Sequence, residues 1–287
     1  MSAPRNLAFA LVISTTAAYA DASNVIASDD FDSPINLISY SAVDFEGNDP
    51  TNTGVWSSGS DNFGPRSVAD FTSGGTATGN FVSDTLIDRT SAGESDDRGI
   101  IPLDYVGNFF AIVDTDNGAN DTGGVTGTWV FDISSAVEVT DFEVDMAAIG
   151  SWFDNGSAAE RFVWSYSIDG GSVTDLLTVR GDASLGSVTY TMADGTTLVA
   201  PGNTAAGDDD NGVSVNGVAL LNELTTLSAP LVGSGSELTL ELFGFINDNG
   251  SGLAFDNVAI RGVAVPEPST AVIGLIAGLL GVAVRRR

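Results

Sequence analysis

Hydrophobic and polar positions alternate with a period of two along most of the chain between Asp21 and Ala264, and helical periodicity is nearly absent there. Period-two alternation puts successive side chains on opposite faces of an extended chain, so each such run predicts a strand with one buried face. Val25–Asp32 and Leu37–Phe45 open the series. Asn108–Asp114 sets Phe109, Ala111 and Val113 against Phe110 and Ile112. Thr126–Ile133 carries Trp129, Phe131 and Ile133 on one face, and Asp141–Ala147 carries Phe142, Val144 and Met146. Arg161–Ile168 carries Phe162, Trp164, Tyr166 and Ile168 in register. Leu176–Arg180, Ser187–Met192 and Glu237–Asn247, the last with Leu238, Leu240 and Leu242 in register, continue the set. Gly252–Ile260 closes it, with Leu253, Phe255, Asn257 and Ala259 alternating against Ala254, Asp256, Val258 and Ile260. Val213–Leu227 is ambiguous, since Val218–Leu224 fits one or two helical turns.

Between these runs the chain is rich in turn formers. Asp169-Gly170-Gly171 is a hairpin signal, and Asp114–Gly124 and Gly202–Asn211 are dense in Asp, Asn and Gly. Gly47–Arg98 reads as loop-rich, with Trp56, Phe63, Phe71 and Phe81 as plugs that pin loops onto a core. Many strands joined by turns, without helical crossovers, predict an all-β fold: an antiparallel β-sandwich whose sheets each bury one face. No period of 20–50 residues suggests a solenoid or propeller, and no proline-rich linker divides the middle, so residues 21–264 form one domain.

The two ends read differently. Val265-Pro266-Glu267-Pro268 precedes an uncharged run, Thr270–Val284, and the chain closes on Arg285-Arg286-Arg287. As a helix that run spans about 22 Å, short of the roughly 20 apolar residues that cross a bilayer comfortably. It suits a short transmembrane helix that serves as a temporary anchor in a tilted or thinned fit, with the arginines as a membrane stop on the cytoplasmic side. The prolines keep the preceding stretch extended and accessible. The order of motif, apolar helix and arginine cluster in residues 265–287 resembles the PEP-CTERM sorting signal of Gram-negative bacteria. The resemblance implies export, recognition by a membrane-embedded exosortase, removal of the tail, and delivery to the cell surface or extracellular matrix. An uncut tail anchor is the plainer alternative. At the other end Arg5, the apolar Leu7–Ile13 and Ala18-Tyr19-Ala20 make residues 1–20 a signal peptide, cut by signal peptidase after Ala20 or, as an alternative, after Ala22.

Composition narrows the chemistry. The chain has no cysteine and no histidine. That excludes disulfides, thiol chemistry, His-based zinc sites and Ser-His-Asp triads. The net charge is −28, and without Arg5, Arg285–Arg287 and Glu267 the middle holds 37 acids against six arginines, with no lysine. Such a surface repels nucleic acid and anionic membranes and attracts cations, of which calcium is the common hard one outside cells. Solubility in a salty habitat is the bland account of the charge.

The middle also resembles the galactose-binding-like jelly rolls of carbohydrate-binding modules. The pieces that carry this are Asp44-Phe45-Glu46-Gly47 followed by Trp56, Gly107-Asn108-Phe109-Phe110 ahead of Asp114, Tyr166-Ser167-Ile168-Asp169-Gly170-Gly171, and Ala254-Phe255-Asp256-Asn257-Val258. The resemblance implies a structural calcium (Ca2+) between an acid of the last strand, Asp256, and acids near the first strand, with Asp30, Asp32 and Glu46 as the candidates. Sugar binding does not follow from it, because the glycan-contacting aromatics have no fixed motif.

Asp114-Thr115-Asp116-Asn117-Gly118 alternates oxygen donors ahead of a glycine, as a calcium loop does, but it lacks a closing Glu and equally fits an Asx-rich turn. Asp208-Asp209-Asp210 and Asn247-Asp248-Asn249 are weaker, because adjacent acids on an extended chain point apart. Trp152, beside Asp154 and Asn155, suits either stacking on a sugar ring or a core lid. A carboxylate pair can hydrolyse glycosides, yet 37 acids single out no pair, so the expectation is no catalysis. The sequence therefore predicts an exported, exosortase-processed surface or matrix protein acting by adhesion or polysaccharide contact. A purely structural matrix component, a surface glycoside hydrolase and an ice-binding protein are the rivals; regular Thr arrays are absent, against the last.

Overall fold

The computed structural model describes residues 24–44, 62–73, 76–77, 86–90, 98–115, 123–152, 159–202, 211–247 and 250–265. In chain order its elements are β1 (Asn24–Asp29), β2 (Leu37–Asp44), β3 (Asn62–Ser67), the single-turn α1 (Val68–Phe71), β4 (Thr72–Ser73), β5 (Thr76–Ala77), β6 (Ile87–Asp88), β7 (Ile101–Pro102), β8 (Asn108–Val113), β9 (Val125–Asp132), β10 (Ala136–Ile149), β11 (Arg161–Ile168), β12 (Thr174–Gly181), β13 (Val188–Thr191), β14 (Thr197–Ala200), β15 (Val213–Val215), β16 (Val218–Leu220), β17 (Thr225–Gly233), β18 (Glu237–Phe245) and β19 (Gly252–Ala264).

One sheet runs β17-β10-β19-β8-β3, with β1 also on β19; the other runs β16-β15-β12-β11-β18-β9-β2. Every ladder in these two sheets is antiparallel. They face one another, because alternation sends Phe110, Phe142, Val144 and Phe255 from the first sheet and Trp129, Phe162, Trp164 and Leu240 from the second into one core. Phe110 and Phe255 stack at 4.6 Å, and Trp164 lies 5.6 Å from Trp129 and 5.2 Å from Phe142. Each fully buried ring of this size contributes roughly 4–6 kcal/mol of gross apolar transfer, before the entropy of ordering it.

The first sheet is covered on its outer side too. Phe109, Ala111, Val113, Ala147, Ile149 and Ala254 pack there against Leu86, Ile87, Ile100 and Ile101 and the β13–β14 hairpin residues Val188 and Tyr190. This is why Asn108–Val113 is apolar at nearly every position: both of its faces are dry.

The long aromatic strands follow the alternation read from the sequence. Four details differ. Val218–Leu224 is not helical; β15 and β16 form a hairpin across Asn216 and Gly217, whose φ values of 52° and 80° are what a two-residue Asn-Gly turn requires. Phe63 is not a loop plug but a strand residue of β3, paired with Ile112. β17, an edge strand through Pro230, is one that the alternation does not single out. In β19 the alternation changes phase at Asn257, where φ is 55° and one extra residue is accommodated against β10. Leu253 and Phe255 before the bulge, and Val258 and Ile260 after it, therefore enter the same core. Trp56 and Phe81 lie outside the described residues, as does the side chain of Phe71.

Candidate functional site

The bulge in β19 organises a polar cluster. β8 pairs with Leu253–Phe255 and β1 with Val258–Gly262, so Asp256 and Asn257 sit where two partner strands part. Asp256 lies directly across the ladder from Asp145 of β10. The Tyr105 hydroxyl donates to Asp256 Oδ2, and the Asn257 backbone N–H donates to Asp256 Oδ1 at 2.7 Å. Asn257 Nδ2 donates to Asp145 Oδ2 at 2.9 Å, and Thr226 Oγ1 to Asp145 Oδ1 at 2.5 Å. Asp32 grips Asn108 through its backbone N–H at 3.0 Å and its Nδ2 at 2.8 Å. Asp30 Oδ1 accepts from the N–H groups of Asp32 and Ser33, closing the turn after β1.

Burial sets the electrostatics. It pushes the Asp256 carboxyl above its ordinary range; the bonds from Tyr105 and Asn257 oppose this, and the charges of Asp30 and Asp145 add to it. Burial, reinforced by Asp256, pushes the Tyr105 phenol up as well. Asp29 is buried and also raised, with Phe31 N–H at 2.9 Å and the Trp129 indole N–H at 3.0 Å as its donors. Such a cluster can hold a buried carboxylate in one place and pin three strands together.

Of the residues predicted as metal ligands, Asp30 and Asp256 come within electrostatic reach of each other, and Asp32 lies within reach of Tyr105. Asp114 follows β8 in a left-handed conformation, φ 49°. Glu46 and Asp116 lie outside the described residues. Among the described residues no group of three or more acids is placed to hold a metal ion. Sequence reasoning missed Tyr105, Asn108, Asp145 and Thr226, which complete the cluster. Asp145 was legible only as one of several outward acids; its partner across the ladder needs the register.

Trp152 is fully buried. Its indole N–H donates to Ile149 O at 3.1 Å and its ring lies 5.5 Å from Phe162. It has no exposed face on which a sugar could stack, and it serves as the lid of the core. Trp129 and Trp164 are core residues too.

Three surfaces among the described residues offer room for a ligand. The outer side of the second sheet carries Thr126, Thr128 and Val130 on β9 and Thr239, Glu241 and Phe243 on β18, with the Arg161 guanidinium 5.1 Å from the centre of the Phe243 ring. An apolar cleft of about 280 Å³ lies among Leu177, Val215, Val218, Leu220 and Leu227. A polar cleft of about 260 Å³ lies among Tyr166, Asp169, Ser172, Thr174 and Ser234. Val265 is half exposed and its N–H donates to Ser135 O at 2.8 Å. Pro266–Pro268, Arg285–Arg287, Ala18 and Ala20 lie outside the described residues, and no helix among the described residues is long and apolar enough to cross a membrane.

The fold and its surfaces define an all-β sandwich that ends directly on its C-terminal segment. Residues 264–287 match the PEP-CTERM protein-sorting motif, which marks an exported, exosortase-processed chain. No curated protein matches the chain in sequence. Among solved structures, the chain is similar to the cleaved adhesin domain of Lys-gingipain, at 10% identity and a TM-score of 0.33, over 83% of this chain and 96% of that one. It is also similar to the CBM22-1 xylan-binding domain from Paenibacillus barcinonensis, at 13% identity and a TM-score of 0.21, over 56% of this chain and 85% of that one.

Proposed function

We propose that the protein is a secreted, non-catalytic adhesive module. It is anchored transiently in the inner membrane by its tail, released by exosortase, and delivered to the cell surface or extracellular matrix, where it contacts polysaccharide. The supporting observation is the junction at Ala264: the last rung of the β10–β19 ladder pairs Ala136 with Ala264, and the sorting motif starts at that same residue. The sorting motif thus begins where the last ladder of the sandwich ends. The outer side of the second sheet is the face for glycan, because hydroxyls and a half-buried ring on a rigid sheet suit neutral polyols. A glycan array probed with the protein recovered from the medium tests this, and binding lost on Phe243→Ala supports it. Mass spectrometry of that protein tests the export route, with both ends removed as the expected result.

A purely structural matrix role is the second reading. The burial of Trp129, Trp152 and Trp164 favours it, since none of these rings reaches the surface. An array with no signal, alongside correct export, selects it. Calcium enters the proposal as a structural ion at the Asp145–Asp256 pair, where two carboxylates repel across neighbouring strands. An ion there takes its remaining oxygens from backbone, hydroxyls or water. An unchanged melting midpoint on adding calcium or a chelator removes it.

A further inference from the structure

Both ends of the described domain leave from one end of the sandwich. Asn24 pairs with Gly262 in the β1–β19 ladder, and Val265 is bonded to Ser135 in the β9–β10 turn. The connections that reach that end are short: residues 30–36, 133–135, 169–173 and 234–236, with Asp30, Asp32 and Asp169 as their acids. At the opposite end the ladders close on the pairs Asp44–Val125, Asn62–Val113, Ile149–Gly252 and Arg161–Phe245. Val137, Val173, Val232 and Val265 are exposed at the tail end, and Val25 is exposed beside Arg261 close to it.

Only the four residues Pro266–Ser269 separate Val265 from the apolar run that begins at Thr270. Fully extended, they reach at most about 14 Å. The 13 residues of β19 span roughly 43 Å. A domain tied by so short a tether cannot present its far end to the bilayer that holds the tail.

We propose that the end of the sandwich carrying Val137, Val173, Val232 and Val265 is a membrane-facing surface, seated on the lipid headgroups while the tail is still attached. The proposal rests on the reading of the tail as a membrane anchor. The occupant is a bilayer of low surface charge. Asp132, Glu138 and Glu237 are exposed at the strand ends around the valines, and they oppose an anionic one. The seat keeps the sorting motif close to the headgroups, within reach of an enzyme embedded in the bilayer, and turns the opposite end of the sandwich outward.

The absence of cysteine makes the test direct, because one introduced thiol takes a fluorophore unambiguously. The full-length chain is reconstituted in phosphatidylcholine vesicles carrying a headgroup quencher, labelled at Ser172→Cys or Ser234→Cys on one end and at Val43→Cys or Leu221→Cys on the other. Co-flotation with the vesicles reports the tail; quenching reports the seat. The expected result is flotation of every variant, with quenching at the tail end at least about twofold stronger than at the far end, and weaker tail-end quenching once an anionic lipid is added. Joint substitution Val137→Asp, Val173→Asp and Val232→Asp lowers tail-end quenching without abolishing flotation. Flotation with equal quenching at both ends overturns the seat and leaves the anchor reading intact. Loss of flotation overturns both.

Discussion

The Tyr105 hydroxyl donates a hydrogen bond to Asp256, which faces Asp145 across two hydrogen-bonded strands. A loop, the last strand and β10 are thereby tied at one point, although Tyr105 and Asp256 lie 151 positions apart in the chain. The phenol holds a buried carboxylate that burial disfavours.

Tyr105→Phe removes that donor and leaves Asp256 poorly satisfied. Loss of a bond to a buried charged group costs about 1–3 kcal/mol. In a domain of this size the melting midpoint drops by roughly 2–4 °C for each kcal/mol. Thermal unfolding followed by circular dichroism checks it, with Asp256→Asn tested alongside; the double variant falls by less than the sum of the two if the groups act as a pair.

Acidity separates two sets of carboxylates. Asp29 and Asp256 are raised by burial, so their contribution is fully present below the unfolded value near 3.9 and is lost as pH rises through the folded value. Asp169 is lowered by N–H groups of Glu237 and Ser236, so its contribution is present above the unfolded value and is lost as pH falls through the folded one. Asp256→Asn therefore compares more favourably with the parent at pH 8 than at pH 4. For Asp169→Asn the difference from the parent is nearly the same at pH 8 and pH 4 and shrinks only as pH falls below the unfolded value. Denaturant titrations at both pH values measure the difference, and parallel behaviour of the two variants contradicts the assignment.

The bulge at Asn257 depends on a left-handed residue. Asn257→Val places a β-branched side chain there and removes the bond to Asp145, costing about 1–2 kcal/mol for the conformation alone. Asn257→Gly relieves the conformation and loses only the bond. A lower denaturation midpoint for Val than for Gly is the expected order.

Gly99 admits no side chain. Its φ is 146°, and an added Cβ would lie 2.3 Å from the Asp88 Cα. Backbone cannot yield as a flexible side chain does, so Gly99→Ala destabilises the β6–β7 cap on the outer face of the first sheet. Faster amide hydrogen exchange at Ile87 and Ile101, with slow exchange kept at Trp129, is the expected pattern.

Trp152→Ala costs about 3–5 kcal/mol if the ring is a core lid. A variant that keeps its melting point but loses a sugar ligand would contradict the burial described above.

The sequence by itself determined the strand class, the aromatic core residues and the sorting motif at the C-terminal end. These are properties of local period, composition and charge, and they survive without knowledge of partners. Phe162, Trp164 and Tyr166 announce a buried face wherever their strand lies. Only the tertiary structure decided what the ladders bring together: Asp145 opposite Asp256, Tyr105 over both, Asn24 beside Gly262, and Trp152 under cover rather than in solvent. Those facts depend on register, on one extra residue at Asn257, and on which end of the sandwich each turn occupies. A bulge shifts the phase of everything after it, and a pattern of period two carries no record of where the phase was reset.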